Sequence, residues 1–303
     1  MTRVALADTG VDRAARPNLL WVLPAALFFG VFAALPLLLV AVLSFTDWNG
    51  LGTPSFNGLD NWSRMLSDDG VWHSLRLTLL LTVLCWLTQT PLSLLLGVWA
   101  AGRQRNRAVL SAIFFLPLLL STAAMAVAWK LLLDPNFGLA ANIGPLLGVD
   151  DGNFLGDQRA AMLCIVFVIA WHFVPFHTLL YQAGARQIPQ VLYDAATVDG
   201  ASRTRQFWYI TVPQLRNTII TSSVLMLVGS LTYFETVLIL TNGGPGDATT
   251  VLPQRMYLNA FRNYEMGYAS VIALFLVAIG AVLSLLIVRF SGFAKMRSTQ
   301  EGI

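Results

Sequence analysis

Charge is scarce in this chain. Only 12% of its 303 residues are Asp, Glu, Lys or Arg, about half the share of an ordinary soluble domain. With 56% hydrophobic residues to hide, so few charges exclude a water-soluble globule and point to a protein that has the bilayer for a solvent. Cysteine is scarce too. Cys85 and Cys164 both lie in apolar runs, where they read as core residues, with no disulfide or metal framework implied. There is no G-x-x-x-x-G-K-[ST] stretch, so the chain has no ready cradle for nucleotide phosphates. H-E-x-x-H and Cys/His clusters at ligand spacing are missing as well. An integral-membrane enzyme would need a nucleophile or metal set that is not on display. No removable signal peptide is expected, because the first apolar run is too long for an h-region and follows a polar start of eighteen residues.

What is present is a series of six apolar spans, near 19–45, 77–101, 109–133, 160–182, 218–240 and 268–288. Each is long enough to cross ~30 Å of hydrocarbon at about 1.5 Å per residue. The net charge of +3 is less informative than its distribution. If the N-terminus, the loops after spans two and four and the C-terminus share one side, that side holds 13 Lys and Arg, including Arg103, Arg105, Arg107, Lys295 and Arg297, against 6 on the other. The positive-inside rule then makes both termini cytosolic. Outer loops of about 30, 25 and 26 residues follow spans one, three and five. Each is too short for a domain but long enough to form a rim. No short-period tandem repeat is present.

The longest polar stretch on the inner side is 188–213. Its pattern predicts two short helices and a corner. Pro189 suits a first turn, and Val191, Leu192, Ala195, Ala196 and Val198 give one apolar side. Gly200 suits a left-handed closing residue. Ser202 is placed to cap a second helix carrying Arg203, Arg205, Phe207 and Ile210 and stopping before Pro213. A DNA-binding helix-turn-helix has a similar corner, but this stretch is tethered between two membrane spans, so nucleic acid is not expected as a partner.

Asp194-Ala195-Ala196, Asp199-Gly200-Ala201, Phe207, Ile210 and Pro213 fall at the spacing E-A-A-x-x-D-G-A-x5-F-x-x-I-x-L-P, nine positions in twenty residues. This resembles the loop of the membrane subunits of binding-protein-dependent ABC importers. The chain departs from the pattern at Asp194, one methylene shorter than the usual Glu, and at Val212, where Leu is usual. The likeness continues through SFTDWNG and FNGLDNW after span one, FFLP at 114–117, Trp129-Lys130, then Trp171, Pro175 and Phe176, and LTNGGP at 240–245. Together these cover most of 20–290 and are similar to the carbohydrate branch, in particular to MalF- or UgpA-type subunits. The loop at 134–158 has no room for the large insert that some sugar permeases carry.

The resemblance implies an all-α integral membrane protein with the type I importer permease fold. Its parts would be a cytosolic tail at 1–18, a six-helix permease domain at 19–290 with the coupling loop at 188–213, and a cytosolic tail at 291–303. It implies a bacterial inner-membrane location. The implied partners are a second permease, two ATP-binding cassette subunits that carry the ATP and Mg, and an external solute-binding protein. Asp194, Ala195, Ala196, Asp199, Gly200 and Ala201 would then dock on the ATPase, and this chain would bind no cofactor itself.

Glu235 is the only carboxylate inside a span, and an ionisable group there reads by default as functional. Tyr233 and Phe234 beside it, and Trp171, offer ring faces for a sugar. His172 and His177 are five apart in span four. With Glu235 they support an alternative, an ion- or proton-coupled secondary transporter, though lone histidines more often pack and hydrogen-bond. Pro175 between them is expected to kink or open that helix. The small residues of Ser121–Ala124, Ala126 and Ala128 read as a close-packing surface.

Overall fold

The computed structural model describes residues 21–102, 109, 112–149 and 151–291. The tail expected at 1–18, residues 292–303 with Lys295 and Arg297, and Arg103, Arg105 and Arg107 lie outside them. The described chain is helical apart from one small hairpin. Four of its helices are long and apolar enough to cross a bilayer: α1 (Leu23–Leu43), α3 (Asp69–Ala100), α6 (Gln158–Arg186) and α12 (Met266–Ser291). After α1, strands β1 (Thr46–Asp47) and β2 (Ser55–Phe56) pair antiparallel, Thr46 opposite Phe56, and lead into α2 (Asp60–Ser67).

The two remaining expected spans are divided. In 109–133, Pro117 opens a 3-10 turn at Leu116–Leu119, Leu120 is extended, and Ser121 caps α4 (Thr122–Leu132) by accepting from the Ala124 N–H at 3.2 Å; the one-turn α5 (Ala140–Ile143) lies in the loop beyond. In 218–240, α9 (Arg216–Ser230) stops and α10 (Glu235–Leu240) starts after a four-residue break at 231–234. Hydroxyls explain this second stop. Ser230 Oγ donates to the Leu227 carbonyl at 2.8 Å and Thr232 Oγ1 to the Gly229 carbonyl at 2.7 Å, offering the backbone an alternative to the helical ladder.

Prolines are accommodated in two ways. Pro175 lies inside α6, and Pro91 inside α3, so neither opens its helix. At Pro36 and Pro213 the chain instead widens into a π turn, Gly30–Ala34 and Phe207–Thr211, just before the ring. A wider turn moves the preceding carbonyls away from the pyrrolidine.

Helices α3 and α6 form the spine and run parallel. Asp68 caps the first through the Gly70 N–H, and Asp157 caps the second through the Arg159 and Ala160 N–H groups. Along their contact, Ser93 donates to the Val174 carbonyl and Gln182 to the Ala100 carbonyl. The central core is Leu81, Met125, Ile165, Ile169 and Val237, drawn from α3, α4, α6 and α10. A second core, Met65, Val71, Leu252, Tyr268 and Ile272, joins α2 and α3 to α11 (Leu252–Phe261) and α12.

At that end Arg64 makes a bidentate pair with Glu265 at 2.9 and 3.0 Å and lies 4.1 Å over the Tyr268 ring, whose hydroxyl donates to Asp68 at 2.6 Å. Burial acts to raise the Asp68 carboxyl, but the hydrogen bonds from Tyr268 and the Gly70 N–H outweigh it and hold the group below its ordinary range.

Helices α3 and α6 approach closely at Gly97. A Cβ there would stand 2.6 Å from Tyr181 Cβ and 2.9 Å from the Thr178 carbonyl. Gly97→Val should therefore force the helices apart, at the ~1–3 kcal/mol typical of overpacking, and lower the thermal midpoint of the detergent-purified protein. An unchanged midpoint would mean that the spine is not packed this way.

Candidate functional site

Two regions carry the sequence candidates. The first is the stretch after α6. Helix α7 (Gln190–Val198) begins with Pro189 at its N-cap, one residue before the expected first turn. It ends at Gly200, whose φ is +76°. The Ala201 N–H donates to the Ala196 carbonyl at 2.8 Å and the Gly200 N–H to the Thr197 carbonyl at 3.0 Å. These two bonds and the left-handed glycine make a Schellman closure.

Ser202 then caps α8, which runs through Arg203–Gln206 and the π turn to Val212–Gln214, accepting from the Arg205 N–H at 3.4 Å. The two helices are tied side by side. Tyr193 and Thr211 hydroxyls are 2.9 Å apart, and the Gln206 amide donates to Thr197 Oγ1 and to the Ala201 carbonyl, both at 3.1 Å. Asp194 is exposed and accepts from the Gln190 amide. Val191 and Val198 are 67% and 88% exposed, so this well-formed unit shows an apolar face that none of the described residues covers. Ala195, Asp199 and Gly200 are exposed with it, while Ala196 and Ala201 are half-buried in the corner.

The second region is a cavity of about 430 Å³ between α4, α6, α9 and the 231–234 break, within the ordinary range for small-solute sites. Glu235, Tyr233, Phe234 and His177 all line it, with Thr122, Phe173, Phe176 and Thr232. Tyr233 stacks on Phe173 with ring centres 5.3 Å apart. Glu235 is exposed in the first turn of α10, an electrostatically favourable place for a carboxylate. Aromatic faces, hydroxyls and one carboxylate are the groups that hold a polyhydroxylated solute.

The structure separates Trp171 from this group. It lines a different, apolar cavity with Phe114, Pro117 and Phe167, and meets Trp129 edge-on at 5.5 Å. The two histidines also part company. His177 Nδ1 is 2.9 Å from Ser222 Oγ, whereas His172 is buried against the Phe173 ring. Sequence reasoning missed Thr122, Phe173 and Thr232 as cavity residues. The hydroxyl-rich end of α9 was the available signal.

The family model described as "Binding-protein-dependent transport system inner membrane component" matches residues 93–293. A probable ABC transporter permease protein of Pyrococcus horikoshii is 34% identical over 275 residues, covering 88% of this chain and 92% of the relative. The trehalose/maltose transport system permease protein MalF of Thermococcus litoralis is 35% identical over 256 residues, covering 84% and 85%. Among solved structures, a bacterial ABC transporter involved in import of the acidic polysaccharide alginate superposes with a TM-score of 0.78. It is 23% identical, with 90% of this chain and 93% of the other covered, a likeness of fold.

The Gly200 corner yields a direct test. Gly200→Val should strain the left-handed residue by ~1–2 kcal/mol, although a Cβ there would meet open space. Hydrogen exchange at the Gly200 and Ala201 amides should then speed up about tenfold while exchange in α3 and α6 stays put. Equal protection in the variant would refute the closure.

Proposed function

The chain belongs to the binding-protein-dependent inner-membrane components, as a permease subunit of a sugar-importing ABC transporter, and from that membership we propose how it works. It moves a sugar or sugar-derived solute (an oligosaccharide, polyol or glycerophosphodiester) from an external binding protein to the cytosol by alternating access. It crosses the membrane six times with both termini cytosolic, and the divided segments at 109–133 and 218–240 supply two of the crossings. A second permease and two ATPase subunits complete the assembly, and the ATPases bind ATP and Mg.

One observation carries this reading. The exposed apolar face of α7 belongs to a rigid corner that continues through α8 into α9, and α9 ends at the break that walls the Glu235 cavity. In the proposed mechanism Val191, Ala195 and Val198 fill a cleft on the ATPase, and Asp194 pairs with a basic group there. ATP-driven closure displaces the corner and pulls α9, and the break at 231–234 takes up the movement by reshaping the cavity. Reciprocity then requires solute and binding protein, acting from outside, to bias the ATPases.

The proposal divides the chain into two separable functions. Ala195→Asp buries a charge in the docking face and should abolish co-purification of the ATPase along with transport. Glu235→Gln should keep the ATPase bound but change the concentration dependence of solute-stimulated hydrolysis. Affinity purification in mild detergent with ATPase assays checks both, and an Ala195→Asp complex that stays intact and active would overturn the docking role.

A further inference from the structure

Among the described residues, Glu235 is the one formally charged side chain on the wall of the 430 Å³ cavity. It is exposed there, and no Lys or Arg shares the wall with it. The ion pairs among the described residues, Arg64 with Glu265 and Arg255 with Asp247, both lie elsewhere. On α4 the cation is Lys130, in the last turn. It stands about 12 Å along the helix from Thr122 at 1.5 Å per residue, farther than the ~8 Å Debye length at physiological salt. His177, the other potential cation on the wall, is 3% exposed and meets Ser222 through Nδ1.

A cavity of this make-up treats solutes differently by charge. An entering phosphate or carboxylate must give up its hydration, which is tolerated only where an opposite charge or a set of donors replaces the water. The wall offers the hydroxyls of Thr122, Thr232 and Tyr233 beside aromatic faces. That is enough for a neutral polyol, while the one charge present repels an anion. The N-terminal turns of α4 and α10 adjoin the cavity, but each carries at most about half a positive charge. Glu235 sits in the first turn of α10 and offsets that partial charge before any solute arrives. An ammonium group fares better, because the carboxylate replaces part of its water.

We propose that Glu235 sets the charge specificity of the transporter. The cavity takes neutral sugars, polyols and amino sugars, and turns away phosphodiesters and uronates. This narrows the solute class given above, and it rests on the reading of the 430 Å³ cavity as the solute cavity.

The potential in the cavity can be read without knowing the solute. In the assembled transporter, Cys85→Ala and Cys164→Ala remove the two native thiols of this chain. Thr122→Cys then places a thiol on the wall, and Phe176→Cys does so in a separate variant. A cationic and an anionic methanethiosulfonate of similar size are compared by mass spectrometry of this chain, each rate divided by its rate with free cysteine. The cationic reagent should win by about tenfold, as a unit charge within a few ångströms predicts, and Glu235→Gln should bring the ratio close to one. The second permease is present, so a cation supplied by it would level the ratio with Glu235 intact and overturn the proposal. Specificity is then read as protection of the Thr122→Cys thiol from a neutral methanethiosulfonate by a panel of hexoses and disaccharides, with their amino-sugar and uronate counterparts. Neutral and amino members should protect and uronates should not, a difference that Glu235→Gln should narrow. Equal protection by uronates would refute the charge filter and leave the solute cavity standing. If neither thiol reacts, or no member of the panel protects, it is the solute-cavity reading that fails, and the inference falls with it.

Discussion

Every polar group that enters hydrocarbon must find its partner within the protein, and the internal architecture of this chain follows from that constraint. The helices that meet it with their own ladders are α3, α6 and α12, which run unbroken, and α1, which continues through one π turn. Where the ladder fails, side chains supply the missing bonds. Ser121 caps α4, and Ser230 and Thr232 close α9. The contacts of α9 with its neighbours obey the same rule. Thr82 meets Ser230, the Trp86 indole donates to Ser223, and His177 meets Ser222. Between membrane helices, where burial of apolar surface gives little driving force, such bonds and close packing hold the bundle together.

That chemistry makes α9 unlike the spine. Helices α3 and α6 approach closely at Gly97 and are pinned to one another by backbone carbonyls. Helix α9 is joined to them by a few discrete side-chain bonds, a kind of contact that can exchange partners without unpacking a core. It lies between the Schellman-closed corner at Gly200 and the break that carries Tyr233. A stiff corner, a helix with exchangeable contacts and a discontinuous wall form the order of parts that the proposed transport cycle requires.

Much of this was legible in the residues. The 188–213 stretch could be read because its signals are local. A left-handed glycine, a serine cap and a helical apolar face depend on a few neighbouring residues, so Gly200 and Ser202 play the parts their neighbourhood dictated, and only the first turn was off by one. The interruptions of the fifth apolar stretch were not legible. Hydropathy averages over a window, and four residues rich in hydroxyls and rings do not lower it enough to show a break. At Pro175 the two expected outcomes were a kink or an opening, and α6 runs on through the ring without opening.

The sequence alone determined the class of protein, since family patterns and hydrophobic run lengths survive without coordinates: a helical membrane permease with an exposed corner. Tertiary structure alone decided which rings share a cavity. Trp171 and Tyr233 were equal candidates in the chain, yet the rotation of α6 sends Trp171 towards Trp129, and Phe173, two residues on, towards Tyr233. Neighbours on a helix point about 100° apart, and only the packing of α6 against α3, α4 and α9 sets which of those directions faces the 430 Å³ cavity.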